Sequence, residues 1–392
     1  MDALTTPSNW QRVRLGDIGK PCMCKRVMKH QTTRYGEIPF YKIGTFGNTA
    51  DAFISKKLFL EYKTKYSFPK KGDILISASG TIGRAVIYDG KPAYFQDSNI
   101  VWIDNDETLV KNDFLFYAYS NIKWNTEHTT ILRLYNDNFR NTLIPLPPLN
   151  EQIAIANILS DVDHYLYTLD ALILKKESVK KALSFELLSQ RKRLKGFNQN
   201  WQRVKLWDIC EFGNGGAYET LIVENGDFKL ISLNSIDIDG NLKNTMKRVN
   251  FYDNSLKQDD IVMVLSDVAH GDFLGLCAVI PSNDYVLNQR MGRLRKRNDC
   301  INILFLRLYI NANQKYFKMQ GQGSSQLNLS KKAIEDFEIL LPPLNEQIAI
   351  ANILSALDNE ITSLKNKKRQ FENIKKALNH DLMSAKIRVL KK

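Results

Sequence analysis

The residues of this chain best suited to chemistry are hydrogen-bonding side chains gathered in polar loops. In the first half they are Lys25, Arg26, Lys29 and Arg34, then Ser79, Thr81 and Arg84 around a glycine turn, then Asn99 and Arg133. In the second half they are Asn214, Tyr218, Asn234, His270, Asn288, Gln289 and Arg290. Gln322, Ser324, Ser325, Gln326 and Asn328 follow, in the stretch Gln320-Gly-Gln-Gly-Ser-Ser-Gln-Leu-Asn328. Asn and Gln bind adenine through two hydrogen bonds, Arg binds guanine the same way, and Ser or Thr serve either. Singly each has a duller use, since Asn and Ser in glycine-rich loops also build turns. As a set they carry the chemistry of reading base edges, and they are the candidate DNA-binding residues.

No catalytic arrangement accompanies them. A G-x-x-x-x-G-K-[ST] phosphate loop does not occur, which excludes ATP hydrolysis by that route. Phe212-Gly-Asn-Gly-Gly216 lacks the strand–loop–helix context of a cofactor loop and reads as a turn. The Asn-Pro-Pro-Tyr/Phe pattern of an amino-methyltransferase does not occur either; the Pro-Pro pairs here lie between leucines. Asp227-Phe-Lys229 and Glu61-Tyr-Lys63 lack the preceding Pro-Asp on a strand that a metal nuclease needs. The five histidines are too scattered for zinc, and Cys22-x-Cys24 has no second ligand pair. The expectation is therefore a chain that is not an enzyme, with no catalytic residue, no metal site and no cofactor of its own.

The elements that must position the polar loops come from an internal repeat. Residues 146–160 and 341–355 both read LPPLNEQIAIANILS, identical at fifteen positions and 195 residues apart. Lys180-Lys181-Ala182-Leu183 recurs as Lys375-Lys376-Ala377-Leu378, and Leu187 and Ser189 as Leu382 and Ser384. Upstream, Trp10-Gln-Arg-Val-Arg-Leu-Gly-Asp-Ile18 recurs as Trp201-Gln-Arg-Val-Lys-Leu-Trp-Asp-Ile209 at an offset of 191. Such self-similarity settles the architecture before any local motif does. It predicts globular domains at 1–148 and 196–343, each followed by a helical segment, at 149–195 and 344–392.

The helical segments open at Pro147-Pro148 and Pro342-Pro343, which cannot lie inside a helix, with Asn150 and Asn345 as expected N-caps. Apolar residues then recur at spacings of three and four: Leu159, Val162, Leu166, Leu169, Ile173, Leu183 and Leu187 in the first copy. The second copy gives Leu354, Leu357, Ile361, Leu364, Phe371, Leu378 and Leu382. This is a coiled-coil seam, interrupted by Lys176 and Lys180 in one copy and Lys368 and Lys375 in the other. Connectivity requires the two helices to pair antiparallel. The globular halves read as mixed and β-rich, with Lys71–Ser77 and Asp259–Ser266 as buried strands approached through an acidic turn. The predicted fold class is thus α+β, with two β-rich domains joined by two long antiparallel helices in pseudo-twofold symmetry.

At 392 residues the chain is long enough for two or three domains, and its 44% apolar and 25% charged residues are those of a globular protein. No apolar run approaches the ~20 residues that span a bilayer, and five scattered cysteines suit a reducing cytoplasm. The net charge is +13, an excess that favours an anionic partner. Residues 175–195 contribute +6 and residues 365–392 contribute +8, so the charge resides in the distal helices. It is either a solvated face complementing the helix dipoles or a surface for phosphates or an acidic partner.

A globular half closing on a strand, then L-P-P-L-x-E-Q, then a long helix, all in tandem, resembles the specificity subunit of type I restriction–modification systems. Leu146–Ser160, Leu341–Ser355, the Trp10 and Trp201 openings and Gly321-x-Gly323-Ser-Ser-Gln326-x-Asn328-Leu329-Ser330 carry the likeness. The first half keeps an apolar frame at Ile131-Leu-Arg-Leu-Tyr135 but lacks that polar loop. The resemblance implies two target recognition domains, each reading half of a bipartite site in double-stranded DNA. It implies that the helices set the spacer and dock two methyltransferase subunits, with Asn150, Glu151, Gln152, Asn345, Glu346 and Gln347 as the docking candidates. S-adenosylmethionine, ATP and Mg2+ would belong to modification and restriction partners in the cytoplasm. A coiled-coil scaffold, or a regulatory DNA-binding protein outside any restriction complex, is the alternative.

Overall fold

The computed structural model describes residues 9–125, 133–268 and 271–389. They form two compact units, one made of Met1–Asp170 with Asn366–Lys392 and the other of Ala171–Lys365. Each unit holds one globular domain and a stretch of both long helices.

In the first unit the strand Ile74–Ser77 is buried at every residue, so it can only be a central strand. It lies between Ala85–Ile87 and Ile100–Asn105, and Gly19–Met23 completes an antiparallel four-stranded sheet. A three-stranded sheet of Phe53–Ile54, Ile38–Tyr41 and Tyr94–Phe95 packs an aromatic core beside it. Gln11–Arg14 pairs antiparallel with Leu143–Leu146, closing the domain where it meets the first long helix. The second unit repeats this plan: Cys210–Asn214, Met291–Lys296, Ile261–Val264 and Cys277–Val279 form the four-stranded sheet. Lys247–Val249, Phe228–Ile231 and Tyr285–Leu287 form the three-stranded one, and Gln202–Lys205 closes against Glu338–Leu341. The acidic turns are present in both: Asp73 accepts from the Lys70 amide and Asp260 from the Lys257 amide, each at 2.7 Å.

The long helices span Leu149–Leu188 and Leu344–Met383. Each begins where the repeat predicts the helical segment, but two residues before the start that Asn150 or Asn345 as N-cap would give. The Pro148 and Pro343 carbonyls accept from the Glu151 and Glu346 amides at 2.9 Å, so Asn150 and Asn345 lie within the first turn rather than capping it.

Within each unit the two helices run antiparallel. In the first, Asp163 pairs with Lys375 and Asp170 with Lys368, so numbering rises on one helix as it falls on the other. The Tyr165 and Phe371 rings stand 4.6 Å apart between those pairs. In the second, Lys180 pairs with Asp358, Lys176 with Glu360 and Glu177 with Lys365. Lys176, Lys180, Lys365, Lys368 and Lys375 are therefore occupied inside the helix pair. That part of the basic excess pairs between the two helices, where the sequence left open a solvated face or a surface for phosphates or an acidic partner. Such half-exposed pairs contribute about 0–1 kcal/mol each, so they select register and direction. Burial of Leu159, Leu169, Ile173, Leu187, Leu354, Ile361 and Leu382, at about 1.5–3 kcal/mol per side chain, supplies the adhesion.

Candidate nucleic-acid interface

In each unit a few of the candidate readers meet where three pieces of chain join. In the first unit the Ala78 amide donates to the Asn99 carbonyl at 2.7 Å, and the Ala78 carbonyl accepts from the Leu134 amide at 2.9 Å. Ser79 Oγ donates to Asn99 Oδ1 at 2.7 Å, and Ser79 bridges Arg133 across the backbone. The second unit repeats the node with other residues. Leu265 donates to the Arg290 carbonyl at 3.0 Å and accepts from the Leu329 amide at 2.8 Å. Ser266 pairs with Asn328 on a short ladder that continues to Val268 and Gln326. Ser79, Asn99 and Arg133 thus correspond to Ser266, Arg290 and Asn328: one frame carries two different polar sets. Ser266 was missed from sequence because it reads as the end of a buried strand.

Around the first node, Thr81 and Arg84 are exposed, and Arg84 is held by the Phe46 carbonyl at 2.9 Å. Gly83, at φ +83°, makes this turn possible; a Cβ there would lie 2.1 Å from Trp124 Nε1. Lys25, Arg26, Lys29 and Arg34 occupy a separate exposed loop. Lys25 sits over the Tyr66 ring at 5.0 Å, and Arg26 approaches Asp97 at 4.0 Å. Thr129, Thr130, Ile131 and Leu132 lie outside the described residues, as does His270.

Around the second node, Asn214, Arg290, Gln322, Ser324, Ser325 and Asn328 are exposed and Gln326 is half-buried; Asn234 is exposed on the turn that follows Phe228–Ile231. Arg290 is exposed and holds a positive φ of 66°, left-handed backbone that is uncommon for a residue other than glycine. The Gln322 and Asn328 backbones exchange hydrogen bonds at 3.0 and 2.9 Å, closing the Gly-Ser-Ser loop into a hairpin. Asn288 requires a correction. It is 2% exposed, its Oδ1 accepts from the Tyr218 amide at 3.0 Å, and its Nδ2 donates to Glu219 at 3.1 Å. Both ends of that amide are used internally, so it shapes the turn and offers nothing to a base. Glu219 also accepts from Gln289, and Asp253 accepts from the Tyr218 hydroxyl at 2.8 Å, a bond that raises the phenol's pKa.

The docking candidates divide by burial. Glu151, Gln152, Glu346 and Gln347 are at most 2% exposed. Gln152 receives the Lys111 amide at 2.8 Å and donates to the Leu109 and Pro147 carbonyls; Gln347 does the same with Asn302, Cys300 and Pro342. Glu151 accepts from Trp10 Nε1 at 3.0 Å and from Arg388 at 2.7 and 3.1 Å. Glu346 accepts from Trp201 Nε1 at 3.0 Å and from Arg193 at 3.2 and 2.6 Å. As docking residues these four are corrected: the glutamines satisfy backbone groups of the preceding loop and of the first proline, and the glutamates are held by a tryptophan and an arginine, so all four are spent within their own unit. What remains exposed is Asn150 with Leu149 and Ile153, and Asn345 with Leu344 and Ile348. Arg193 and Arg388 were missed, though they keep the 195-residue offset and extending the repeat past Leu187 and Leu382 finds them.

Among the described residues no three His, Cys, Asp or Glu gather as a metal site, and no helix is long and apolar enough to cross a membrane. The arrangement offers hydrogen-bonding edges and cations on two scaffolds.

Comparison with known proteins gives the same picture. The model of the type I restriction modification DNA specificity domain matches twice, at residues 7–176 and 198–373. The type I restriction enzyme MjaVIII specificity subunit of Methanocaldococcus jannaschii is 30% identical over 420 aligned residues, covering 99% of this chain and 95% of that one. The putative type I restriction enzyme specificity subunit S.HindORF215P of Haemophilus influenzae is 64% identical over 148 residues, a match spanning only 38% of each chain. The crystal structure of the type I restriction–modification S subunit from M. genitalium shares the fold, with a TM-score of 0.65, 19% identity and 97% of both chains covered.

Proposed function

The chain belongs to the type I restriction–modification DNA specificity family, and we propose that it reads a bipartite DNA sequence for enzymes that it does not itself contain. The observation that carries this reading is the doubled node: Asn99 and Arg133 beside the buried, internally bonded Ser79 on one frame, Arg290 and Asn328 beside the equally buried Ser266 on its copy. Equal frames with unequal side chains suit two half-sites of different sequence. Around them, Lys25, Arg26, Lys29, Arg34, Thr81 and Arg84 serve the first half-site. Asn214, Tyr218, Asn234, Gln289, Gln322, Ser324, Ser325 and Gln326 serve the second, and His270 is kept with them from sequence.

The partners of this reading are two modification subunits, which bring S-adenosylmethionine and methylate adenine, and restriction subunits, which bring ATP and Mg2+, all in the cytoplasm. Each modification subunit meets one copy of the exposed helix start, Leu149-Asn150 with Ile153 or Leu344-Asn345 with Ile348. Identical surfaces presented twice suit two identical partners. The long helices act as the ruler between half-sites. The scaffold alternative has no such use for two divergent polar sets.

The test is an exchange of residues 196–340 for the corresponding domain of another specificity subunit. Methylated-base sequencing of cells carrying the complete system should show one half-site changed and the other kept. An unchanged site, or loss of both halves with the assembly intact, refutes two independent readers.

A further inference from the structure

The two closing strand pairs differ in charge, and the difference singles out one cleft. In the second unit Arg203 pairs with Glu338 on the facing strand at 2.8 Å, and Lys205 with Asp336, just before that strand, at 2.8 Å. Registers align the copies residue by residue: Gln11 faces Leu146 as Gln202 faces Leu341. Arg12 and Arg14 therefore stand where Arg203 and Lys205 stand. Their acids are gone, because Leu143 occupies the place of Glu338 and Asn141 the place of Asp336. On the neighbouring helix Arg140 likewise replaces Glu335.

Of the freed cations, Arg12 lines a cleft of about 490 Å³ in the first unit, where it is joined by Lys123, His380 and the amides of Asn121, Asn125 and Asn141. No carboxylate is among the described residues lining it. Arg12, Arg14, Lys123 and Arg140 are exposed, and none has an ion-pair partner among the described residues. We propose that this cleft and the strand edge beside it grip the phosphate backbone of the DNA duplex, an anchor confined to the first unit. The proposal rests on the DNA-reading function above and places this anchor outside the base-reading nodes.

Phosphate, rather than a base edge, fits the chemistry. Exposed cations with no partner to fix their geometry suit phosphate oxygens, which carry no sequence information, whereas base readout needs side chains held in one geometry. A polymer fits better than a single free anion. Arg12 and Arg14, two residues apart on one strand, share a face and stand ~7 Å apart, a row that a repeating polyanion engages at more than one point. Asn amides and Arg side chains are among the usual donors to phosphate and sugar oxygens.

The second unit supplies the test variants. In the full-length chain, assembled with its partners, Leu143→Glu with Asn141→Asp installs acids that the homologous frame already accommodates. Arg12→Ala with Lys123→Ala removes the cations instead. Duplex affinity is measured by fluorescence anisotropy across salt concentrations, with cognate and scrambled duplexes. Both double variants should flatten the dependence of log K on log salt by about 1 for each phosphate no longer neutralised, leaving the cognate-to-scrambled ratio unchanged. Glu338→Leu with Asp336→Asn, which unmasks the second unit's cations, should steepen it. Unaltered slopes in both cleft variants, with duplex binding intact, overturn the cleft while leaving the DNA-reading function standing. An altered cognate-to-scrambled ratio also overturns the backbone assignment. Failure of the unaltered assembly to prefer its cognate duplex would sink the parent reading and the anchor with it.

Discussion

Glu151 and Arg388 are 237 residues apart in the chain and meet in a two-point ion pair, with Arg388 Nε and Nη2 at 2.7 and 3.1 Å from the carboxylate. Glu346 and Arg193 make the same pair in the second unit. Each arginine follows the end of one long helix, and each glutamate opens the other. The indole N–H of Trp10 or Trp201 donates to the same carboxylate, so the tryptophan that opens each domain is tied to the helix that leaves it.

Removing Arg388 should cost more than an ordinary surface pair. Glu151 is 2% exposed, so Arg388→Ala leaves its carboxylate buried with the Trp10 donor alone. Full burial would make the loss about 3–5 kcal/mol; because Arg388 is itself 29% exposed, about 2 kcal/mol is expected. Denaturant unfolding measures it, and a loss below about 0.5 kcal/mol would contradict the clasp.

Gly275→Ala should destabilise the second unit more than the surface average. Its φ is +77°, and an added Cβ would lie 2.4 Å from Cβ of Phe317, which is wholly buried. Left-handed strain adds to the overlap, for a combined cost of about 2–4 kcal/mol. Thermal unfolding of the variant beside Gly72→Ala, which has φ +92° but open space around it, separates overlap from backbone strain.

Thiol reactivity should single out Cys300, the exposed cysteine. Burial pushes the Cys24 and Cys210 thiols up to about 12 and raises Cys277 as well. Unfolded thiols ionise near 8.5, so at about pH 8.5 iodoacetamide should label Cys300 in the native chain and the buried three only on unfolding. The sign follows from raised folded values. The stability these thiols contribute is complete below about pH 8.5 and declines as pH climbs toward about 12. Rapid native labelling of Cys210, detected by mass spectrometry, would contradict the packed site.

Lengthening the helices should lengthen the recognised spacer. The pair Asp170–Lys368 belongs to the first unit and Glu177–Lys365 to the second. One heptad inserted after Asp170, with another after Lys365, preserves both sets of pairs. Seven residues add ~10 Å, or about 3 base pairs. Methylated-base sequencing should find both half-sites retained and the gap between them widened; an unchanged gap argues against a ruler.

The duplication and the helix seam were legible in sequence because they depend on spacing alone, and spacing is a property of the chain; the caps were not, since Asn150 and Asn345 lie inside the first turn. The long helices fall at Leu149–Leu188 and Leu344–Met383 because apolar residues recur at spacings of three and four after a proline pair. The polar loops were legible as composition but not as sites. Asn99 and Asn288 look alike in sequence, yet one sits half-exposed at a junction and the other is sealed by Tyr218 and Glu219.

Sequence by itself determined that the chain is one unit written twice, with unequal loops on equal frames. Only the tertiary structure decided which charges remain available. Lys375 is spent on Asp163 and Glu151 on Arg388, while Arg12 is left open because a cross-strand neighbour became Leu143. Whether a charged side chain is occupied depends on what lies within a few ångströms of it. Those neighbours come from residues far along the chain, which no local spacing records.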